Sequence, residues 1–213
     1  YMFLTGQLMR MREAEVMDID EEAFRQGIVS ARLYGYLRVP EERRLLQSVK
    51  SGGVQAEQEA LSGMAADVVN DMAQGCIYVI GPGTTTRAIM DELGLEHTLL
   101  GVDVVLDRRL VAKDANAAQL ASLVSGMDAR IVVTAIGGQG FIFGRGNQQI
   151  SPAVIKNVGK ENILVVATRD KLISLGGRPL LVDTGERELD EMLSGYVRVT
   201  TGFNEYHMYK IEA

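Results

Sequence analysis

The chain has 213 residues and a net charge of −6, with 46% hydrophobic and 23% charged residues. This balance is typical of a globular protein with a sizeable core, and the negative charge argues against a nucleic-acid partner, which would need a basic surface. No apolar run approaches the roughly 20 residues of a membrane-spanning helix. Cys76 is the only cysteine and is expected to be a core residue of a strand. We therefore expect a cytoplasmic protein that binds neither nucleic acid nor membrane.

Residues 1–50 predict a small β-containing segment. Alternating apolar residues at 14–19 and a run rich in Val, Leu and Tyr at 28–39 are typical of strands, with helical turns beside them. The chain begins at Tyr1, inside a helical pattern. We therefore expect residues 1–50 to continue from a missing N-terminal domain.

Residues 51–213 predict an α/β ligand-binding domain with a mostly parallel sheet and helices on both faces. Short continuous apolar runs alternate with helical patterns, which is typical of parallel strands covered on both sides. Strands are expected at 76–80, 130–134, 162–167 and 179–182, with one or two closing strands at 196–211. Helices are expected at 55–72, 84–93, 115–124, 151–158, 170–175 and 186–193.

The first candidate binding loop follows the strand at 76–80 and opens the next helix. Glycines let a backbone approach a ligand, a helix start offers free N–H groups, and hydroxyls and an arginine donate to phosphate oxygens. The loop has neither the lysine of a Walker motif nor the spacing of a dinucleotide fingerprint. The alternative is a tight turn with Thr84 as the helix cap. The residues expected to bind phosphate or ribose are Gly81, Gly83, Thr84, Thr85, Thr86 and Arg87.

The second candidate loop follows the strand at 130–134. It carries five glycines from Gly137 to Gly146. Fixing so many glycines in one conformation costs conformational entropy, a cost that a plain connection need not incur. Ligands bind at the carboxyl edge of parallel sheets, whereas the alternative is a mobile surface loop. The expected ligand-binding residues are Gly137, Gly138, Gln139, Gly140, Arg145 and Asn147.

Asp103 and Asp114 are the carboxylates nearest to predicted strand ends. Asp103 interrupts an apolar stretch and is a candidate ligand-binding residue, and so is Asp114, which alternatively caps the following helix. Asp170, in a third loop on the same edge, is expected to be a cap. The two histidines, His97 and His207, are too isolated in sequence to indicate a metal site, and we expect none.

Four motifs together resemble a branch of bacterial ATP-NAD kinases linked to acetoin catabolism. The resemblance covers nearly the whole chain and implies transfer of a phosphoryl group from ATP or polyphosphate to the 2′-hydroxyl of NAD. It also implies ATP and Mg²⁺ as cofactors, and a C-terminal domain that helps to bind NAD and to assemble a homo-oligomer. The motifs are 81–86, Gly101-Val102-Asp103-Val104-Val105, the stretch from Gly137 to Pro152, and Val182-Asp183-Thr184-Gly185.

The chain departs from these kinases at their catalytic loop. Their N-terminal domain carries a Gly-Gly-Asp-Gly loop, which the 213 residues do not contain. The nearest segments are Gly81-Pro82-Gly83, with proline in place of aspartate, and Gly137-Gly138-Gln139-Gly140, with glutamine there. We therefore expect the C-terminal domain of a longer kinase, and the catalytic residues stay unknown.

Two other interpretations remain open. The loop at 81–86 is also similar to the phosphate-binding turns of sugar-phosphate isomerases and deaminases, and of the sugar-phosphate sensor domains of some repressors. A domain that serves only oligomerisation or regulation would need no site at all. Binding of NAD, of a sugar phosphate, or of neither distinguishes the three.

Overall fold

The computed structural model describes residues 11–19, 31–40 and 54–213, and the chain forms two compact units, 1–49 and 50–213. In the first unit, strand β1 (Met11–Ile19) pairs antiparallel with β2 (Ala31–Pro40). The register shifts between Val16 and Met17. The helical turns expected at the N-terminus, at 20–27 and after Pro40 lie outside the described residues.

The second unit contains a nine-stranded sheet in the order β5-β4-β3-β6-β8-β10-β11-β9-β7. The neighbouring strands β3, β6, β8 and β10 are parallel to one another and form its centre. We call the edge where these four strands end the carboxyl edge. The strands are β3 (Ile77–Ile80), β4 (Asp103–Leu106), β5 (Arg109–Ala112), β6 (Ala129–Thr134), β7 (Phe141–Phe143), β8 (Ile163–Val166), β9 (Leu180–Val182), β10 (Gly195–Gly202) and β11 (Glu205–Glu212).

Helices cover both faces of this sheet, which confirms the predicted fold class. Ile77 and Val79 of β3 pack into one hydrophobic core with α3, α4 and α6, whereas Tyr78 and Ile80 pack into a second core with α1 and α2. Successive side chains of a strand point to opposite faces, so β3, β6 and β8 each contribute to both cores. The helices are α1 (Val54–Asn70), α2 (Thr84–Glu92), α3 (Ala117–Val124), α4 (Pro152–Val158), α5 (Arg169–Ser174) and α6 (Arg187–Leu193). None of the helices in the described part of the chain is long and apolar enough to cross a membrane.

The sheet also contains elements that the sequence did not predict. The antiparallel hairpin β4–β5 extends the sheet beyond β3. A short strand, β7, interrupts the glycine-rich stretch and pairs with β9, which in turn pairs with β11. Because β11 is antiparallel to β10, the three strands β7, β9 and β11 run opposite to the central four. The sheet is therefore mostly parallel between neighbours, but its strands point in two directions.

Candidate functional site

Threonine side chains line the carboxyl edge. Six of them are buried, although hydroxyl groups usually favour the surface. Each of the four central strands contributes at least one, either at its last residues or in the loop or helix start that follows, so the sequence brings them to one edge of the sheet. They are Thr85, Thr86, Thr134, Thr168, Thr200 and Thr201.

The first glycine loop lies at this edge, between the ends of β3 and β6. The Gly81 N–H donates to the Val132 carbonyl at 2.8 Å, and the Gly83 N–H donates to the Leu99 carbonyl at 3.1 Å. Gly83 has φ 128° and is the N-cap of α2, a backbone conformation that favours glycine. Among the described residues no side chain caps this helix, so its first N–H groups and the positive end of its dipole face the edge.

Two cap assignments differ from the structure: the alternative interpretation of Thr84, and the predicted cap at Asp170. Thr84 is the first residue of α2 rather than its cap, and the Thr86 hydroxyl donates back to the Gly83 carbonyl at 3.0 Å. Asp170 lies in the first turn of α5, where the cap is Thr168, whose hydroxyl accepts from the Lys171 N–H at 3.3 Å. In both helices a neighbouring residue occupies the cap position.

Lys171 connects the ends of three parallel strands. Its ammonium donates to the Thr134 hydroxyl, at the end of β6, with Nζ 3.1 Å from Oγ1. It also donates to the Thr85 hydroxyl, in the first turn of α2, at 3.3 Å. A lysine in the first turn of α5 thus places a positive charge beside the glycine loop. The sequence did not predict a binding role for Lys171 or Thr134.

Asp103 lies at the same edge, but its carboxylate holds loops together. It is 2% exposed and opposes Ile80, the last residue of β3, across the antiparallel pair. Its oxygens accept from the Thr98 N–H at 2.6 Å, the Thr98 hydroxyl at 3.0 Å and the Asp114 N–H at 3.0 Å. The geometry gives Asp103 a structural role, and no observation tests the ligand-binding role expected from the sequence.

Asp114 is not the cap of α3. The cap is Asn116, whose side chain accepts from the Ala118 and Gln119 N–H groups while Gln119 bonds back to the Asn116 N–H. Asp114 has φ 50° and its carboxylate fills the space next to Gly101, where a Cβ would lie 2.3 Å from Oδ1. Its proposed contact with a ligand stays a prediction.

The two predicted phosphate-binding arginines form ion pairs along the surface. Arg87 Nε lies 3.4 Å from Asp91 Oδ2, one turn further along α2. Arg145 Nη2 lies 3.1 Å from Asp183 Oδ2, and its guanidinium stacks over the Phe141 ring at 4.8 Å. In each case the carboxylate competes with a ligand for the guanidinium.

The glycine-rich stretch divides into two parts. Two residues after the end of β6, beside the carboxyl edge, the chain forms a 3₁₀ turn from Gly137 to Gln139, and this turn ends at Gly140. Beyond β7, Asn147 is 1% exposed and its amide donates to the Ile142 carbonyl and accepts from the Gly144 N–H. The second part is thus a folded turn, in which Asn147 has a structural role.

A second polar network surrounds the turn between β10 and β11. The Thr201 hydroxyl lies 3.0 Å from both Glu205 Oε1 and His207 Nδ1. The hydrogen bond from Thr201 and the neighbouring Arg169 guanidinium lower the pKa of the Glu205 carboxyl. His207 therefore lies in a hydrogen-bonded group, although it is isolated in sequence.

Asp67 of α1 joins this turn to the second core. Its carboxylate accepts from the Asn204 N–H at 2.8 Å and from the Tyr206 hydroxyl at 3.0 Å. The hydrogen bond to this carboxylate raises the pKa of Tyr206. A cavity of about 600 Å³ lies between α5 and β11, and Arg169 and His207 line it. Its volume is in the range of small-molecule pockets.

The comparison with protein families decides which family the chain represents. Residues 73–211, more than half of the chain, match the model of the ATP-NAD kinase C-terminal domain. The chain belongs to this family. No curated protein and no solved structure gives a significant match. The matched part of the ATP-NAD kinase C-terminal domain extends from β3 to β11 and includes every loop of the carboxyl edge.

The described residues of this ATP-NAD kinase C-terminal domain do not fit a Mg²⁺ ion. In the described part of the chain no three His, Cys, Asp or Glu side chains form a group that could hold a metal. Asp103, the carboxylate nearest to the glycine loop, already accepts three hydrogen bonds within the protein. Mg²⁺ coordinates oxygen ligands, chiefly carboxylates, waters and phosphates. We therefore assign it no position in this domain.

Proposed function

We propose that the chain is the part of an NAD kinase that binds NAD and assembles the oligomer, while a separate segment supplies the catalytic loop. The reaction is transfer of the terminal phosphoryl group of ATP, or of polyphosphate, to the 2′-hydroxyl of NAD, in the cytoplasm. The observation that supports it most is the family match over residues 73–211.

The carboxyl edge supports a phosphate-binding role for this domain. Phosphoryl transfer requires donors and positive charge around the phosphates. The edge offers an uncapped helix start at Gly83, hydroxyls such as that of Thr85, and the ammonium of Lys171. These groups donate hydrogen bonds to phosphate oxygens, whereas a phosphoryl-transfer site also needs a metal and an oriented hydroxyl. The edge is therefore better suited to binding than to catalysis.

Calorimetric titration with NAD, ATP and ribose 5-phosphate tests the proposal. We expect NAD to bind, and Thr85→Val to weaken its binding roughly 10- to 160-fold, the effect of losing one charge-assisted hydrogen bond of about 1.5–3 kcal/mol. Arg87→Ala should have a smaller effect because Arg87 is paired with Asp91. Thr184→Val is the matched control, since the Thr184 hydroxyl bonds to Asp190 beyond β9.

Each other outcome of this titration has a distinct meaning. Binding of ribose 5-phosphate with no binding of NAD would replace the proposal with a sugar-phosphate function. Binding of no ligand at millimolar concentration would leave oligomer assembly as the role of the domain, and sedimentation would then measure that assembly.

A further inference from the structure

Lys171, Thr85 and Thr134 meet at one point of the carboxyl edge although they come from three separate elements. Thr85 follows β3, Thr134 ends β6, and Lys171 follows β8, and these three strands are neighbours in the sheet. Both hydroxyls lie within 3.3 Å of the Lys171 ammonium. Thr85 and Thr134 are 3% and 2% exposed, so the rest of the protein fixes their side chains.

The hydrogen bonds set the direction in which the hydroxyl protons point. A lysine ammonium only donates, so both threonine oxygens act as acceptors toward it. Each hydroxyl keeps its own proton, which it can donate to a further acceptor. An oxygen atom placed against this group would receive hydrogen bonds from hydroxyls and lie next to a positive charge.

The start of α2 adds a second positive feature at the same place. The Gly83 backbone lies so close to β6 that a Cβ there would be 3.1 Å from the Thr134 Cγ2. The positive end of the α2 dipole therefore lies beside the group that holds the Lys171 ammonium. Both features favour an anion placed beside them.

We propose that Lys171, Thr85 and Thr134 form the binding site for a phosphate group of the ligand, with Lys171 as its cation. That this phosphate belongs to a nucleotide rests on the proposed function. The site itself recognises only the phosphate group. Lys171 holds the two hydroxyls in place before the ligand arrives and then shares its charge with the phosphate oxygens. Gly83 and the first N–H groups of α2 complete the contact.

Titration of inorganic pyrophosphate into the 213-residue chain tests this site without a nucleotide. We expect Lys171→Met, which keeps the length of the side chain and removes its charge, to weaken pyrophosphate binding at least tenfold. Lys171→Arg should retain part of the affinity, and raising the salt concentration should weaken binding to the wild type more than to Lys171→Met. The control is Lys210→Met, because Lys210 pairs with Glu212 near the end of β11 and should leave binding within twofold.

A purely structural role for Lys171 predicts a different result. In that case Lys171→Met would melt at a lower temperature but bind pyrophosphate with wild-type affinity, and the proposal would be overturned. NAD binding that is equal in wild type and Lys171→Met would overturn it as well and leave the proposed function standing. Pyrophosphate binding that is lost in Lys171→Met, together with no binding of NAD, would support the site and refute the proposed function.

A measurement on the wild type keeps the test decisive if Lys171→Met does not fold. Acetic anhydride acetylates lysines, and mass spectrometry gives the rate at each one. We expect saturating pyrophosphate to slow acetylation of Lys171 at least fivefold and to leave Lys210 unchanged. An equal rate at Lys171 with and without pyrophosphate would overturn the proposal.

Discussion

Gly144 lies directly against the carbonyl of Asp183: a Cβ atom at Gly144 would be 1.6 Å from the Asp183 oxygen. This close approach joins the turn after β7 to the segment after β9. The Gly144 N–H is held by Asn147, and Arg145 pairs with the Asp183 side chain. The glycine is therefore required both by its φ of 85° and by the lack of space.

Gly144→Ala should prevent folding or lower the free energy of unfolding by at least about 4 kcal/mol, a loss that only severe steric conflict explains. Gly185→Ala is the matched control, because Gly185 has φ 83° and no neighbouring atom within 4 Å of a Cβ. That variant should lose only about 1–2 kcal/mol, the penalty of the left-handed backbone. Urea unfolding measures both. Equal losses in the two variants would show that the close contact with Asp183 adds nothing to the cost of a side chain at Gly144.

Asp103→Asn should lower stability and leave NAD binding nearly unchanged. An asparagine keeps one acceptor oxygen and turns an N–H₂ group toward one of the donors of Thr98 or Asp114. We expect a loss of about 1.5–3 kcal/mol in the free energy of unfolding, measured by urea unfolding beside a titration with NAD. Asp128→Asn, at an exposed position, is the control. Unchanged stability with lost binding would return Asp103 to the role of a ligand-binding residue.

Tyr206→Phe should change how stability depends on pH. The hydrogen bond to Asp67 raises the pKa of Tyr206 in the folded protein, so its contribution is complete below the unfolded value of 10.0 and is lost as pH rises through the folded value. At pH 7 the variant should be less stable than the wild type by about 1 kcal/mol, and the difference should shrink above pH 10. Tyr196→Phe, an exposed tyrosine of the same hairpin, is the control. A difference that stays constant up to pH 12 would refute the pairing.

The 213-residue chain should not convert NAD to NADP with ATP and Mg²⁺. Phosphoryl transfer depends on a metal and cations held in line with an attacking hydroxyl, and the sequence contains no Gly-Gly-Asp-Gly loop. An enzyme-coupled assay for NADP measures this, with an active NAD kinase added to one sample to establish the detection limit. Turnover by the purified chain would show that it holds a complete catalytic site.

The central strands and the helices around them could be predicted because buried parallel strands are continuous apolar runs. The helix expected at 84–93 is observed at Thr84–Glu92, and the strand expected at 130–134 at Ala129–Thr134. The hairpin β4–β5 was missed because its turn, Asp107 and Arg108 with φ 49° and 60°, lacks the Asn-Gly signal of such turns. Its second strand also has two exposed residues among four.

The sequence predicted the glycine loop at 81–87 but not the lysine, Lys171, that lies beside it. Lys171 is 86 residues from Thr85 and 37 from Thr134, so no local pattern connects them. The segment 168–171 follows a predicted parallel strand, which was the available signal that it shares an edge with the glycine loop. The orientation of the lysine depends on the cap at Thr168 and could be found only in three dimensions.

The position of bound NAD tests most directly whether the carboxyl edge is the binding site. Amide NMR spectra of the 213-residue chain, recorded with increasing NAD, report which backbone groups meet the ligand. We predict the largest shifts at Gly83–Thr86, Gly137–Gly140 and Lys171, and none at Asp107 and Arg108, which form the turn at the far end of β4. Shifts centred on Asp107 and Arg108, or no shifts at saturating NAD, would contradict the assignment of the carboxyl edge as the binding site.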